Sequence, residues 1–319
     1  MFKRRSTTTA LVATGALLLA GCGATGSPND GDGVQVLASI YPLAYVADAV
    51  GGDLVDVTTA TPAGTDPHSV ELSPRQLRDV GDADLVLYLG GFQAAVDDAV
   101  AERSPSHALD VATVADLQPL PAGAAHEHDE ADDDDVADDN HAEDDDHGAL
   151  DPHFWLDPER LTNVGYAVAV ALGEADPANA DTYVSNADAL AEDLAALDEE
   201  LASGLSTCAS DVVVTSHAAF GYLTSRYALH QVSVSGIDPE REPSPARIRE
   251  VREAIADLGV SAVFTEPLAD PGVAATLAED LAVDVLELDP LDSHREDTPG
   301  YREVMADNLA ALRAGLGCS

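Results

Sequence analysis

Of ten histidines in the chain, three sit where their neighbours suit metal chemistry. His68 ends Gly64-Thr65-Asp66-Pro67-His68. His153 lies in Asp151-Pro152-His153-Phe154-Trp155-Leu156-Asp157-Pro158. His217 follows the apolar run 212–215, and Asp289 follows another, 283–288. A lone histidine near a strand end is more often a hydrogen-bonded loop residue. Three imidazoles and one carboxylate converging on a point, however, make a four-coordinate site for a borderline metal. Imidazole suits Zn²⁺, whereas Mn²⁺ prefers carboxylate oxygen. Asp151 and Asp157 flank His153 and are placed to hydrogen-bond a ligating ring, although Asp157 reads better as a helix N-cap. Glu266, after the run 260–264, points to the same place as a substitute ligand or as an acceptor for one.

These groups need elements to hold them. Apolar runs of strand length fall at 34–40, 55–60 and 84–89, with helical patterns at 42–50, 73–80 and 92–101. The rhythm returns with strands at 211–215, 231–234, 260–264 and 283–288 and helices at 218–227, 244–258, 272–281 and 301–316. Such alternation predicts an α/β fold, with parallel sheets covered by helices on both faces. In those sheets ligand groups gather at the carboxyl ends of strands. Helix starts repeat one device, an Asp or Ser cap followed by Pro, at Ser73, Asp157, Asp176, Ser244 and Asp270. Ser73 with Gln76 forms a capping box. From about Pro177 to Leu205 the leucines 190, 194, 197 and 201 recur at helical spacing without an internal break until Gly204. One amphipathic helix of about 29 residues, roughly 43 Å long, suits a rigid spine joining two lobes. The expected organisation is a first lobe over 34–172, a linking helix over 173–206 and a second lobe over 207–319.

Before residue 34 lies an address. Residues 1–21 combine Lys3, Arg4 and Arg5 with an apolar run too short to span a bilayer, and small residues precede Cys22. The ending Leu19-Ala20-Gly21-Cys22 resembles the bacterial lipoprotein signal, which implies cleavage before Cys22 and lipid on its thiol. Residues 22–33 read as a flexible tether. In an exported chain the two remaining cysteines, Cys208 and Cys318, are expected to pair, the alternative being two free thiols.

One stretch fits no element. The insert 122–148 holds four histidines, His126, His128, His141 and His147, and 13 acids lie between residues 126 and 147. Its composition predicts a loop without a core of its own. Carboxylates hold Zn²⁺ weakly unless imidazoles join them, so the insert is expected to act as shallow metal capture or as a solvated charge run. The whole chain is acidic, with 59 Asp and Glu against 15 Lys and Arg. Binding to nucleic acid through phosphates needs the opposite balance and is excluded.

The strings GTDPHSVELSPRQL, DPHFWLDPE, SHAAFGYL and EPSPARI, in this order and with an acidic His-containing insert before the second, resemble the zinc/manganese ABC-transporter solute-binding proteins. The resemblance runs from about Val34 to Cys318. It implies two α/β lobes joined by one long helix, with metal in the cleft between them. It carries ligand roles onto His68, His153 and His217. The third position is His in zinc-binding relatives and Glu in many manganese-binding ones, so His217 favours Zn²⁺ over Mn²⁺. The fourth maps onto Asp289, with water or another carboxylate as the alternative. The function implied is capture of Zn²⁺ outside the cytoplasmic membrane by a lipid-anchored monomer. Delivery is to a membrane permease driven by a cytoplasmic ATPase. A manganese or iron binder is the nearest rival, and some relatives are described as adhesins. An exported zinc hydrolase is disfavoured, because neither a His-Glu-x-x-His helix nor a Gly-x-Ser-x-Gly elbow is present.

Overall fold

The computed structural model describes residues 33–120, 150–267, 272–293 and 299–319. The signal segment, Cys22, most of the tether, the insert with its four histidines and the cap expected at Asp270 lie outside the described residues.

Two four-stranded parallel sheets are formed. The first has the order β2-β1-β3-β4, from β1 (Val34–Ala38), β2 (Val55–Thr59), β3 (Leu85–Tyr88) and β4 (Ala108–Asp110). The second repeats that order as β6-β5-β7-β8, from β5 (Val212–Thr215), β6 (His230–Ser233), β7 (Ala262–Thr265) and β8 (Asp284–Glu287). Between the strands run α1 (Tyr41–Gly51), α2 (Pro74–Asp82), α3 (Ala94–Arg103), α6 (Gly221–Arg226), α7 (Pro245–Asp257) and α8 (Gly272–Leu281). The pair α4 (Pro158–Ala175) and α5 (Ala180–Leu205) connects the sheets, and α9 (Tyr301–Leu316) closes the chain. The expected α/β class with two sheets is what the chain forms. The short strand β4 carries too few apolar residues to stand out in the sequence.

Alternation along the strands explains why both faces are covered. Val36, Ala38, Leu85 and Leu87 face one core, while Leu37 and Val86 face a smaller one beneath α2 and α3. In the second sheet Val213 and Phe264 face the large core, and Val212, Val214 and Val263 face a cluster with α7 and α8. A parallel strand buried on both sides needs apolar residues at every position, which is why these strands read as unbroken runs. The large core continues from the first sheet through Phe154, Trp155 and Leu156 to Phe220, Phe264 and α9.

The spine begins later than its periodicity suggests. Asp176 ends α4, its backbone N–H bonding to Leu172 O, and its carboxylate accepts from Asn179 Nδ2 at 2.6 Å and Tyr183 Oη at 2.9 Å. It is therefore not the N-cap of α5, whose cap position is Asn179. The 26 residues of α5 extend about 39 Å. They pack along α4 and α1 and against α9, with Leu190, Leu194, Leu197, Leu201 and Leu205 buried. Ser73, Asp157 and Ser244 cap their helices as expected, each side chain accepting a backbone N–H of the first turn. A disulfide joins Cys208 to Cys318 and fastens the last helix to the start of the second sheet. Among the described residues no helix is long and apolar enough to cross a membrane.

Candidate metal centre

His68 follows β2 in a 3₁₀ turn, Pro67–Ser69, whose N-cap Asp66 accepts the His68 backbone N–H at 2.8 Å. Buried Gln93 steadies this turn by donating to Pro67 O at 3.2 Å and to Thr61 Oγ1 at 2.9 Å. The ring of Phe92 stands edge-on to the imidazole, 4.8 Å away between centroids. Burial, and then the neighbouring His153 and His217, pull the His68 pKa down to about 2. Its ring is neutral at any physiological pH.

His153 and His217 are held by a shared device. Asp151 Oδ1 accepts the backbone N–H of His153 and faces its Nδ1, both at 2.9 Å. Glu266 Oε1 accepts the backbone N–H of His217 at 3.2 Å, and Glu266 Oε2 lies 2.6 Å from His217 Nδ1. A carboxylate beside Nδ1 favours a proton there and leaves Nε2 facing the cleft as the nitrogen open to a metal. Burial lowers His153 well below its ordinary value, with a further push from His217. Burial also pulls on His217, but the charge of Glu266 and its hydrogen bond outweigh this and leave its pKa raised.

The loop carrying His217 escapes the helix expected over 218–227. Ala218 N–H donates to Gly236 O at 2.9 Å, and His217 O accepts from Thr215 Oγ1 at 2.7 Å and Gln231 Nε2 at 3.0 Å. With those groups satisfied outside a helix, α6 starts only at Gly221.

The three imidazoles converge from both halves of the molecule. Ring centroids lie 5.4 Å apart for His68 and His153, 5.4 Å for His153 and His217, and 5.9 Å for His68 and His217. The fourth member of the group is Asp292, and one ligand atom from each residue lies within 4.8 Å of every other. The Nε2 atoms of all three histidines are buried with no hydrogen-bond partner. Three orphaned acceptors meeting at one point are costly unless a cation accepts their lone pairs. Burial raises the Asp292 carboxyl to about 7, a rise that His217 resists and Glu266, Asp66 and Asp289 reinforce. Asp151 is likewise raised to about 7 by burial, against hydrogen bonding from His153. A cavity of about 490 Å³ adjoins the group, lined among others by Asp66, Ser216, His217, Glu266, Asp289 and Asp292.

The carboxylate in the group is that of Asp292, three residues beyond the expected Asp289. Asp289 occupies the expected loop after β8 but is not in the converging group. Its Oδ1 accepts Leu291 N–H at 2.8 Å, closing a turn over Pro290, and its backbone exchanges bonds with Asn308 at 2.9 and 2.8 Å. Leu291 adopts a left-handed φ of 58°, which carries the chain round to deliver Asp292. An Asp directly before Pro is a turn-forming residue by type, but nothing in Leu288-Asp289-Pro290-Leu291-Asp292 alone distinguishes which of its two Asp side chains faces the histidines. Asp157 is an N-cap, accepting Glu159 N–H at 3.0 Å.

Comparison with known proteins follows the same outline. Residues 36–315 match the profile of the family described as zinc-uptake complex component A, periplasmic, ZnuA. The zinc-binding protein AdcA of Streptococcus pyogenes serotype M3 is 32% identical over 286 residues, which cover 88% of this chain and 55% of that protein. The chain thus spans about half the length of that relative. The high-affinity zinc uptake system protein ZnuA of Bacillus subtilis is 29% identical over 309 residues, 94% of each. Among solved structures, the laminin-binding protein Lmb of Streptococcus agalactiae, described as bifunctional with adhesin and metal transporting activity, superposes with a TM-score of 0.76. Its identity is 27%, covering 89% of this chain and 99% of that one.

Proposed function

Because the chain belongs to the family of periplasmic zinc-uptake components whose profile it matches over residues 36–315, we propose that it is the extracytoplasmic binding component of an ABC importer. It captures Zn²⁺ on His68, His153, His217 and Asp292. The observation that carries this reading is the convergence of three imidazoles, each with a buried and unpaired Nε2, on one carboxylate. Two of the rings are already oriented by the carboxylates of Asp151 and Glu266, so little ordering remains for the ion to do.

A set of three nitrogens and one oxygen favours Zn²⁺ over Mn²⁺. Four protein donors complete a tetrahedral shell and leave no position for a substrate, which fits a carrier and not a catalyst. The cargo passes to a membrane permease powered by a cytoplasmic ATPase. The protein works as a monomer held by lipid on Cys22 at the outer face of the cytoplasmic membrane. His126, His128, His141 and His147 gather ions for the main site.

Chelator-stripped protein titrated with Zn²⁺ in competition with a chromophoric chelator should bind one ion tightly, and Mn²⁺ should fail to displace it. Absence of stoichiometric Zn²⁺ binding would sink the reading. A second role, adhesion to an extracellular matrix protein, is favoured by the likeness to the laminin-binding Lmb. Saturable binding of the folded chain to immobilised laminin would support it, and no binding above a denatured control would remove it.

A further inference from the structure

The loop that delivers Asp292 is fastened on two sides, and the two fastenings differ. On one side Asn308 of α9 exchanges two hydrogen bonds with the backbone of Asp289. On the other, the carbonyl of Pro290 accepts the indole N–H of Trp155 at 2.7 Å. Trp155 is fully buried and stands two residues after His153, while Pro290 stands two residues before Asp292. A single hydrogen bond therefore ties the segment of one metal-site residue to the segment of another, 135 residues apart in the chain. The circuit closes through Trp155 O, which accepts Tyr301 Oη at 2.6 Å. Tyr301 opens α9, the helix that also carries Asn308, and its ring stacks on Tyr45 of α1 at 4.7 Å.

We propose that Trp155 is a positioning residue that sets Asp292 over the three histidines, acting through its indole N–H on the Pro290 carbonyl. The proposal rests on the metal-binding reading and adds to it what holds the fourth donor in place. The turn after Asp289 needs this second tether. Leu291 sits in a backbone region that non-glycine residues rarely occupy, so the loop persists only where its surroundings over-determine it. Losing the donor leaves a buried carbonyl unpaired, and the loop relaxes toward conformations that satisfy it. The indole ring has a separate packing role. It lies 5.3 Å from the His153 ring and 6.4 Å from Phe92 between centroids, so the N–H must be tested apart from the ring.

The test is a double-mutant cycle for Zn²⁺ affinity. Trp155→Phe removes the donor but also part of the ring. A second variant therefore replaces Trp155 by its benzothiophene isostere, in which sulfur takes the place of N–H at nearly constant shape. Each is combined with Asp292→Ala. Removing a partner outside the ligand set commonly costs about 10- to 100-fold in metal affinity, and that loss is expected for the isostere when Asp292 is present. With Asp292→Ala in place the isostere should change affinity by less than about twofold, because the coupled donor is already gone. The visible spectrum of bound Co²⁺ should shift in the same way for the isostere and for Asp292→Ala. Equal losses in both backgrounds, or no loss in either, would overturn the proposal while leaving zinc binding intact. Failure of the unaltered protein to bind Zn²⁺ would remove the underlying reading, and the proposal with it.

Discussion

Asp151 and Glu266 each spend one carboxylate on both the ring and the backbone N–H of a histidine. That arrangement fixes the orientation of both rings; burial keeps His153 neutral, whereas Glu266 favours a proton on His217 that the ion must displace. Asp292 and Asp289 divide their labour by the same logic. The first is buried among the imidazoles, and the second accepts a backbone N–H within its own turn. Asp292→Asn should therefore weaken Zn²⁺ binding by about 10-fold or more, with thermal stability of the apo protein unchanged or raised, since a buried carboxyl held at about 7 is costly to ionise. Asp289→Ala, which removes the acceptor of the Leu291 N–H, should cost less affinity and more stability. Affinity should also fall with acidity. His68 and His153 are already neutral at pH 7, so the competing protons are those on Asp292 and Asp151, both near 7, and on His217, which is raised. Below pH 7 the apparent Kd should rise about tenfold per pH unit for each proton displaced, as read from competition titrations between pH 8 and 5. Folding stability carries the matching sign. Carboxyls raised from 3.8 to about 7 stabilise the apo fold fully below pH 3.8, and that contribution is lost as pH climbs through 7. The depressed histidines act oppositely, removing stability as pH falls below 6.5. Zn²⁺ should thus raise the Tm more at pH 8 than at pH 5.

At the scale of elements, the metal-site residues sit on short loops whose geometry is imposed by neighbours. Gly221, the first residue of α6, shows how tightly. A Cβ there would lie 2.7 Å from Asp151 Oδ2. Gly221→Ala should push the Asp151 carboxylate off His153 and lower Zn²⁺ affinity, with far-ultraviolet circular dichroism unchanged; equal affinity would show that Asp151 has room to move. The spine answers to a different force. Leu197 of α5 is fully buried in the core that runs through both sheets. Leu197→Ala should cost about 2–5 kcal/mol by calorimetry or denaturant unfolding, and a single unfolding transition should persist. The repeated Asp/Ser-Pro device positions α2, α4 and α7 by local chemistry alone, and three of its four occurrences among the described residues act as caps.

For the whole molecule, one core passing through both sheets and a helix of 26 residues packed on α1, α4 and α9 oppose a wide hinge. Small-angle scattering should find nearly the same radius of gyration with and without Zn²⁺. The acidity is a whole-molecule property too. The insert holds only 13 of the 59 acidic residues, so the negative field extends over the lobes. It should speed cation encounter in a salt-dependent way, while release, set by the four donors, should depend little on salt. Strand runs buried on both faces, helix periodicity, capping pairs and the local strings around His68, His153 and His217 could all be read from the chain, because each depends on near neighbours in sequence. Which Asp faces the histidines could not. Asp289 and Asp292 share one loop and one residue type, and they are told apart by Asn308, Trp155 and a left-handed Leu291, partners brought there by folding. The start of the spine is likewise a matter of folding, since Asp176 ends α4 and its carboxylate binds the side chains of Asn179 and Tyr183 in place of a first-turn backbone N–H of α5. Residue types and spacing determined the donors on offer and the fold class. Only the packing of one lobe on the other decided how the donors meet, because that meeting depends on hydrogen bonds between segments more than a hundred residues apart.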